Sequence, residues 1–96
     1  MLKLEWTTPA VNEFEAAQTY YHELNPMAAR LLARRIVEAA MRLQEQPQIG
    51  RPGLRKDTRE WVVARTPYVI VYRHNEGAIE ILHVWHVAQD WTQNLD

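Results

Sequence analysis

Six of the eleven basic residues in this 96-residue chain lie between positions 51 and 73: Arg51, Arg55, Lys56, Arg59, Arg65 and Arg73. Only Asp57 and Glu60 oppose them there, so the stretch carries +4 while the rest of the chain carries −5. Concentrated charge of one sign steers and holds an oppositely charged partner better than a scattered surface does. Five of the six are arginines, whose planar fork suits phosphate or carboxylate. An RNA backbone, an acidic protein surface and the carboxylates of an inhibitory segment all fit that description. A solubilising loop with ordinary strand-edge charges is the plainer account of the same residues.

Two histidines near the end of the chain, His83 and His86, add possible acid–base chemistry. Three residues apart on a strand, they face opposite sides, which argues against a shared metal ion. By parity His83 groups with Ile79, Ile81 and Trp85, and His86 with Glu80, Leu82 and Val84. Histidine as a residue type titrates near neutrality, so His86, at a strand end where a site can open, is the candidate general acid or base. A lone strand histidine is more often a hydrogen-bonded structural residue. No metal or cofactor site is expected, and Trp91 either folds back onto the sheet or anchors a partner.

The elements that must carry these groups follow from periodicity. Leu2, Leu4 and Trp6 alternate with Lys3 and Glu5, the mark of a half-buried strand. Thr8 and Pro9 read as a cap and first turn, and Val11, Phe14, Ala17, Tyr21 and Leu24 trace one helix face. Asn25-Pro26 stops that helix and starts another, which runs to about Gln46 with Ala29, Leu32, Ile36, Ala39 or Ala40, and Leu43 inside. So short a connection makes a helical hairpin. After the Pro47–Gly53 loop the period changes. Arg59–Arg65, Tyr68–Arg73 and Ile79–His86 read as strands, separated by Thr66-Pro67 and Asn75-Glu76-Gly77. The expectation is an α+β domain over residues 1–96, with one strand, an antiparallel two-helix hairpin and a three-stranded antiparallel meander. Arg59 and Arg65, six apart, should then share a sheet face, with Arg73 nearby on the next strand.

Composition narrows the function classes. A length of 96 residues supports one core, and 47% apolar with 24% charged residues is globular rather than disordered. With no cysteine there is neither a disulfide nor a thiolate metal site, which fits a reducing cytosol. No apolar run approaches the roughly 18–20 residues needed to span a bilayer. A formal charge of −1 argues against generic coating of nucleic acid.

The order of these features resembles the RelE/ParE superfamily of toxins from bacterial type II toxin–antitoxin modules. The resemblance runs from the strand ending at Trp6, through the helices joined at Asn25-Pro26, to Gly50-Arg51-Pro52-Gly53-Leu54-Arg55 and the Arg59–Arg65 segment. It continues in Pro67-Tyr68-Val69-Ile70-Val71-Tyr72-Arg73, Ile81-Leu82-His83-Val84-Trp85-His86 and Ala88-Gln89-Asp90-Trp91. It implies a cytoplasmic growth inhibitor held in a hetero-oligomer by a small antitoxin. The antitoxin's C-terminal segment would wrap the toxin, and its N-terminal ribbon-helix-helix domain would bind operator DNA in the toxin's stead. No membrane partner is implied.

The superfamily divides by target, DNA gyrase for the ParE-like (plasmid-stabilisation) arm and ribosome-bound mRNA for the RelE-like arm. Cleaving RNA through its own 2′-hydroxyl needs a base, cations for the phosphorane and an acid for the 5′-oxygen. Here Val87 follows His86, and Lys56 is the one lysine near the basic patch, so the set is incomplete. The resemblance therefore favours a non-enzymatic gyrase inhibitor. Arg51, Arg55, Lys56, Arg59, Arg65, Arg73 and Trp91 would bind target or antitoxin. The alternative is a ribosome-dependent endoribonuclease using Arg59, Arg65, Arg73 and His86.

Overall fold

The computed structural model describes residues 1–88, so Trp91 lies outside the described residues. Strand β1 (Lys3–Trp6) leads into helices α1 (Thr8–Leu24) and α2 (Pro26–Glu45). Strands β2 (Arg51–Pro52), β3 (Arg59–Val62), β4 (Tyr68–Asn75) and β5 (Ala78–His86) follow. The sheet order is β1-β5-β4-β3-β2, with β1 parallel to β5 and the remaining pairs antiparallel. This is the anticipated α+β arrangement, with the two-residue β2 added at the edge.

Local chemistry sets the helix ends. Thr7, not Thr8, caps α1: its hydroxyl accepts from the Ala10 N–H at 3.2 Å, which moves Pro9 to the second helical position. Asn25 caps α2, its Oδ1 accepting from Met27 N–H (2.9 Å) and Ala28 N–H (3.4 Å). The inner face of α2 is as expected, with Ala29, Leu32, Ile36, Ala40 and Leu43 buried. That of α1 shifts: Ala10 and Ala17 are buried with Phe14 and Tyr21 packed beside them, whereas Val11 and Leu24 face solvent. Alanine at the contact lets α1 sit close to β5, which bulkier Val11 and Leu24 would not allow.

The hairpin covers one sheet face, burying Ile36 and Leu43 against Ile70, Tyr72, Ile79 and Ile81. Complete burial of such an aliphatic side chain contributes about 1.5–3 kcal/mol. Tyr72 also ties the interhelix-to-sheet loop to this core. Its hydroxyl donates to the Pro47 carbonyl at 2.8 Å and accepts from the Gly50 N–H at 3.0 Å. A Cβ at Gly50 would stand 2.7 Å from that hydroxyl and 2.8 Å from the Glu60 carbonyl, so only glycine fits.

Two departures in the sheet matter for the site. The predicted Arg59–Arg65 strand ends at Val62, because residues 63–67 close a loop instead. In that loop Thr66 returns both N–H and hydroxyl to the Val63 carbonyl, and Arg65 adopts a left-handed φ of 65°. The second departure is a β-bulge. Tyr72 pairs with Ile81 but Val71 with His83, leaving Leu82 without an opposite number. A bulge inverts side-chain parity beyond it. Ile79 and Ile81 therefore point to the helices, as Val84 does, while His83 and Trp85 turn to the open face. The simple alternation that grouped His83 with Ile79 and Ile81 is overturned for this reason.

Burial raises the pKa of both Tyr68 and Tyr72 above the usual value of 10.0, neighbouring Tyr21 and Tyr20 adding to the effect at Tyr68. A raised folded-state pKa means that the unfolded chain loses its protons first. The contribution is fully present below pH 10 and is lost as pH climbs through the folded-state values. Stability measured by denaturant titration should therefore fall steadily above about pH 10. Tyr72→Phe leaves two backbone groups unsatisfied and should cost about 1–3 kcal/mol at neutral pH, with a shallower alkaline decline.

Candidate functional site

The open face of the sheet carries a groove of about 620 Å³. Its apolar floor is formed by Val71 of β4 and by Leu82 and Trp85 of β5, with Leu54 and Pro9 at the sides. Arg55, Lys56 and Arg73 supply cations, and Thr7, Thr58, Glu60 and His83 supply other polar groups. Alternation explains the set: Trp61 packs under the helices, so Glu60, the residue before it, faces the groove, paired across the sheet with Val71.

The basic residues singled out from sequence separate into five environments. Arg51 is spent on buried Glu60, with Nε and a terminal nitrogen both 3.0 Å from Oε1. A buried carboxylate is tolerable only with such a partner. Arg59 points to the helix side and donates to the Gly50 carbonyl at 2.7 Å and to Gln48 at 3.4 Å. Arg65 lies in the loop beyond β3, lining a separate cleft with Arg35, Glu38 and Trp61. Arg73 reaches the groove but also holds Glu80 through two nitrogens at 2.9 and 3.3 Å. Arg55 and Lys56 remain exposed at the rim.

The expected convergence of Arg59, Arg65 and Arg73 on one surface is met in part. The early end of β3 removes Arg65, whereas Arg59 and Arg73, starting from strand faces of opposite parity, still line one open cleft with Gln48, Asp57 and His74. His86 does not join them either. Its ring meets Tyr68 edge-on at 5.3 Å, and its Nδ1 accepts the Ala88 N–H at 3.0 Å. It lines a small cleft with Ala16, Ala17 and Tyr20 of α1, away from the basic rim.

His83 is the histidine that faces the groove, and the residue that holds it there is Glu13. The Glu13 carboxylate accepts from Trp85 Nε1 at 2.7 Å, from the Val84 N–H at 3.0 Å and from His83 Nδ1 at 3.2 Å. The His83 and Trp85 rings stack at 4.2 Å. The one available signal for Glu13 was an acid flanking the apolar row Ala10, Phe14 and Ala17. Nothing in the sequence pointed to its partners seventy positions away. Among the described residues no cluster of histidine, aspartate and glutamate could hold a metal ion.

Comparison with known proteins decides the family. The description "ParE toxin of type II toxin-antitoxin system, parDE" matches residues 4–91. The chain belongs to the ParE toxin family of type II toxin–antitoxin systems. It is 40% identical over 93 residues to "Putative toxin Y4kP" of Sinorhizobium fredii (strain NBRC 101917 / NGR234), covering 97% of this chain and 96% of that one. It is 34% identical over 89 residues to "Toxin RelE2" of Caulobacter vibrioides, covering 93% and 99%. A chain of the chromosomal ParDE system from P. aeruginosa superposes with a TM-score of 0.81 at 28% identity, covering 90% and 96%. A chain of the E. coli RelBE toxin–antitoxin complex shares the fold at TM-score 0.59 and 17% identity, covering 93% and 100%. This ParE-family protein is thus the toxin of a type II module, which implies an antitoxin partner.

The differing environments predict opposite phenotypes for two arginines. Arg59→Ala frees the carbonyls of the β2 loop and should cost about 1–2 kcal/mol of stability with little effect on partner affinity. Arg73→Ala should leave stability within about 1 kcal/mol, since its ion pair is part-exposed, but weaken binding to an acidic partner. Denaturation curves and binding isotherms on both variants separate the two.

Proposed function

We propose that this ParE-family toxin is a cytoplasmic, non-enzymatic inhibitor of DNA gyrase, neutralised by an antitoxin whose acidic, apolar tail occupies the open-face groove. The separation of the acid–base candidates supports this reading most strongly. His86 sits under α1, Arg59 and Arg51 are consumed by internal bonds, and Arg65 is across the fold. What remains in the groove is an aliphatic and aromatic floor with a cationic rim, a surface suited to binding. A binding inhibitor needs no converging base, acid and phosphorane-stabilising cations. An antitoxin segment would bury the floor and set carboxylates against Arg55, Lys56 and Arg73.

One observation favours the endoribonuclease reading instead: His83 shares the groove with Arg73 and Lys56. The two readings part cleanly in parallel assays. On the favoured one, purified toxin blocks supercoiling or traps cleaved DNA–gyrase complexes, while mRNA in a translating extract stays whole. Normal supercoiling at saturating toxin would remove it. Codon-positioned mRNA cuts that depend on His83 and Arg73, but not on His86 or Arg65, would establish the other.

A further inference from the structure

The carboxylate of Glu13 meets three N–H groups at the groove wall, and it is an acceptor only. His83 Nδ1, at 3.2 and 3.3 Å from its two oxygens, must therefore carry a hydrogen. In a neutral imidazole that choice leaves Nε2 with a lone pair. Nε2 makes no hydrogen bond among the described residues, and the ring belongs to the groove lining. The bond from Trp85 Nε1 to the same carboxylate fixes the indole, and stacking at 4.2 Å fixes the two rings together.

We propose that Glu13 is a positioning residue of the docking groove, presenting His83 Nε2 as a hydrogen-bond acceptor beside the Trp85 face. The occupant is an acidic peptide segment that brings an amide or hydroxyl donor to Nε2. Its carboxylates meet Arg55, Lys56 and Arg73, and its apolar side chains rest on Val71 and Leu82. Trp85 is buried and stacked on His83, which favours peptide over a nucleic-acid strand, since that would call for exposed aromatic platforms under successive bases. The inference rests on the antitoxin reading and specifies which side-chain chemistry that partner must offer. A groove with a fixed acceptor rejects a segment lacking the donor, so the pair Glu13–His83 contributes to partner choice.

The test uses the full-length protein and its full-length cognate antitoxin. Imidazole nitrogen NMR of the free toxin should show His83 with hydrogen on Nδ1 and a lone pair on Nε2. Glu13→Gln replaces one of the two acceptor oxygens by an NH2 donor, so it cannot hold Trp85 Nε1, the Val84 N–H and His83 Nδ1 together, and affinity for the partner should fall tenfold or more. His83→Phe keeps the stack on Trp85 without the acceptor and should lose affinity to a similar degree. Tyr72→Phe, remote from the groove, controls for general destabilisation and should bind like wild type. Binding within twofold of wild type in either Glu13→Gln or His83→Phe overturns the proposal, as does a wild-type tautomer with hydrogen on Nε2. If an oligoribonucleotide titrated in parallel shifts the His83 signals and the protein partner does not, the occupant is wrong. Failure of wild-type toxin to bind the partner at all defeats the antitoxin reading, while the tautomer result still decides the role of Glu13.

Discussion

Strand β5 outruns the strand beside it. Its parallel neighbour β1 stops pairing at Trp6 and Ile81, yet β5 continues to His86. Backbone groups left on that edge would be buried against α1 without partners, which folded chains avoid. Thr7 and Glu13 take the place of the missing strand. Thr7 donates its N–H to the Ile81 carbonyl and its hydroxyl to that of Leu82, and Glu13 accepts from the Val84 N–H. Because Thr7 is also the cap of α1, one residue closes the strand edge and starts the helix. The direction in which α1 crosses the sheet is set by these few bonds.

The bulge at Leu82 works with that edge. By inverting parity it delivers both His83 and Trp85 to the open face while keeping Val84 under the helices. Glu13 then reaches around the edge to bind all three residues, so helix position and groove wall are mechanically one unit. Under the helices, away from the groove, Tyr72 of central strand β4 holds the loop that leads into β2.

Much of this architecture was legible in sequence. The change from a period near 3.6 to a period of two located helices and strands, and Asn25-Pro26 marked the hairpin turn within one residue. These signals are local, and each depends on a handful of neighbouring side chains. The stripe of α1 was misread because Val11 and Leu24 are more apolar than the alanines that take the contact. Hydrophobicity ranks burial, whereas close approach of helix and sheet selects for small volume. The two-residue β2 was invisible, since its pairing needs only the edge of β3 and its sequence contains Pro52.

The candidate site was legible as a composition and not as a geometry. The sequence alone determined that positive charge gathers between 51 and 73, that a helical hairpin precedes a meander, and that the chain resembles RelE/ParE toxins. Tertiary structure decided which cations face a partner. Arg51 is neutralised by a residue nine positions away across a strand pair, and Arg73 by Glu80 in the next strand. His83 owes its direction to a register shift between two strands and to an acid seventy positions upstream. Charge and periodicity are properties of short windows. Pairing and parity depend on contacts that form only once distant segments have been brought together.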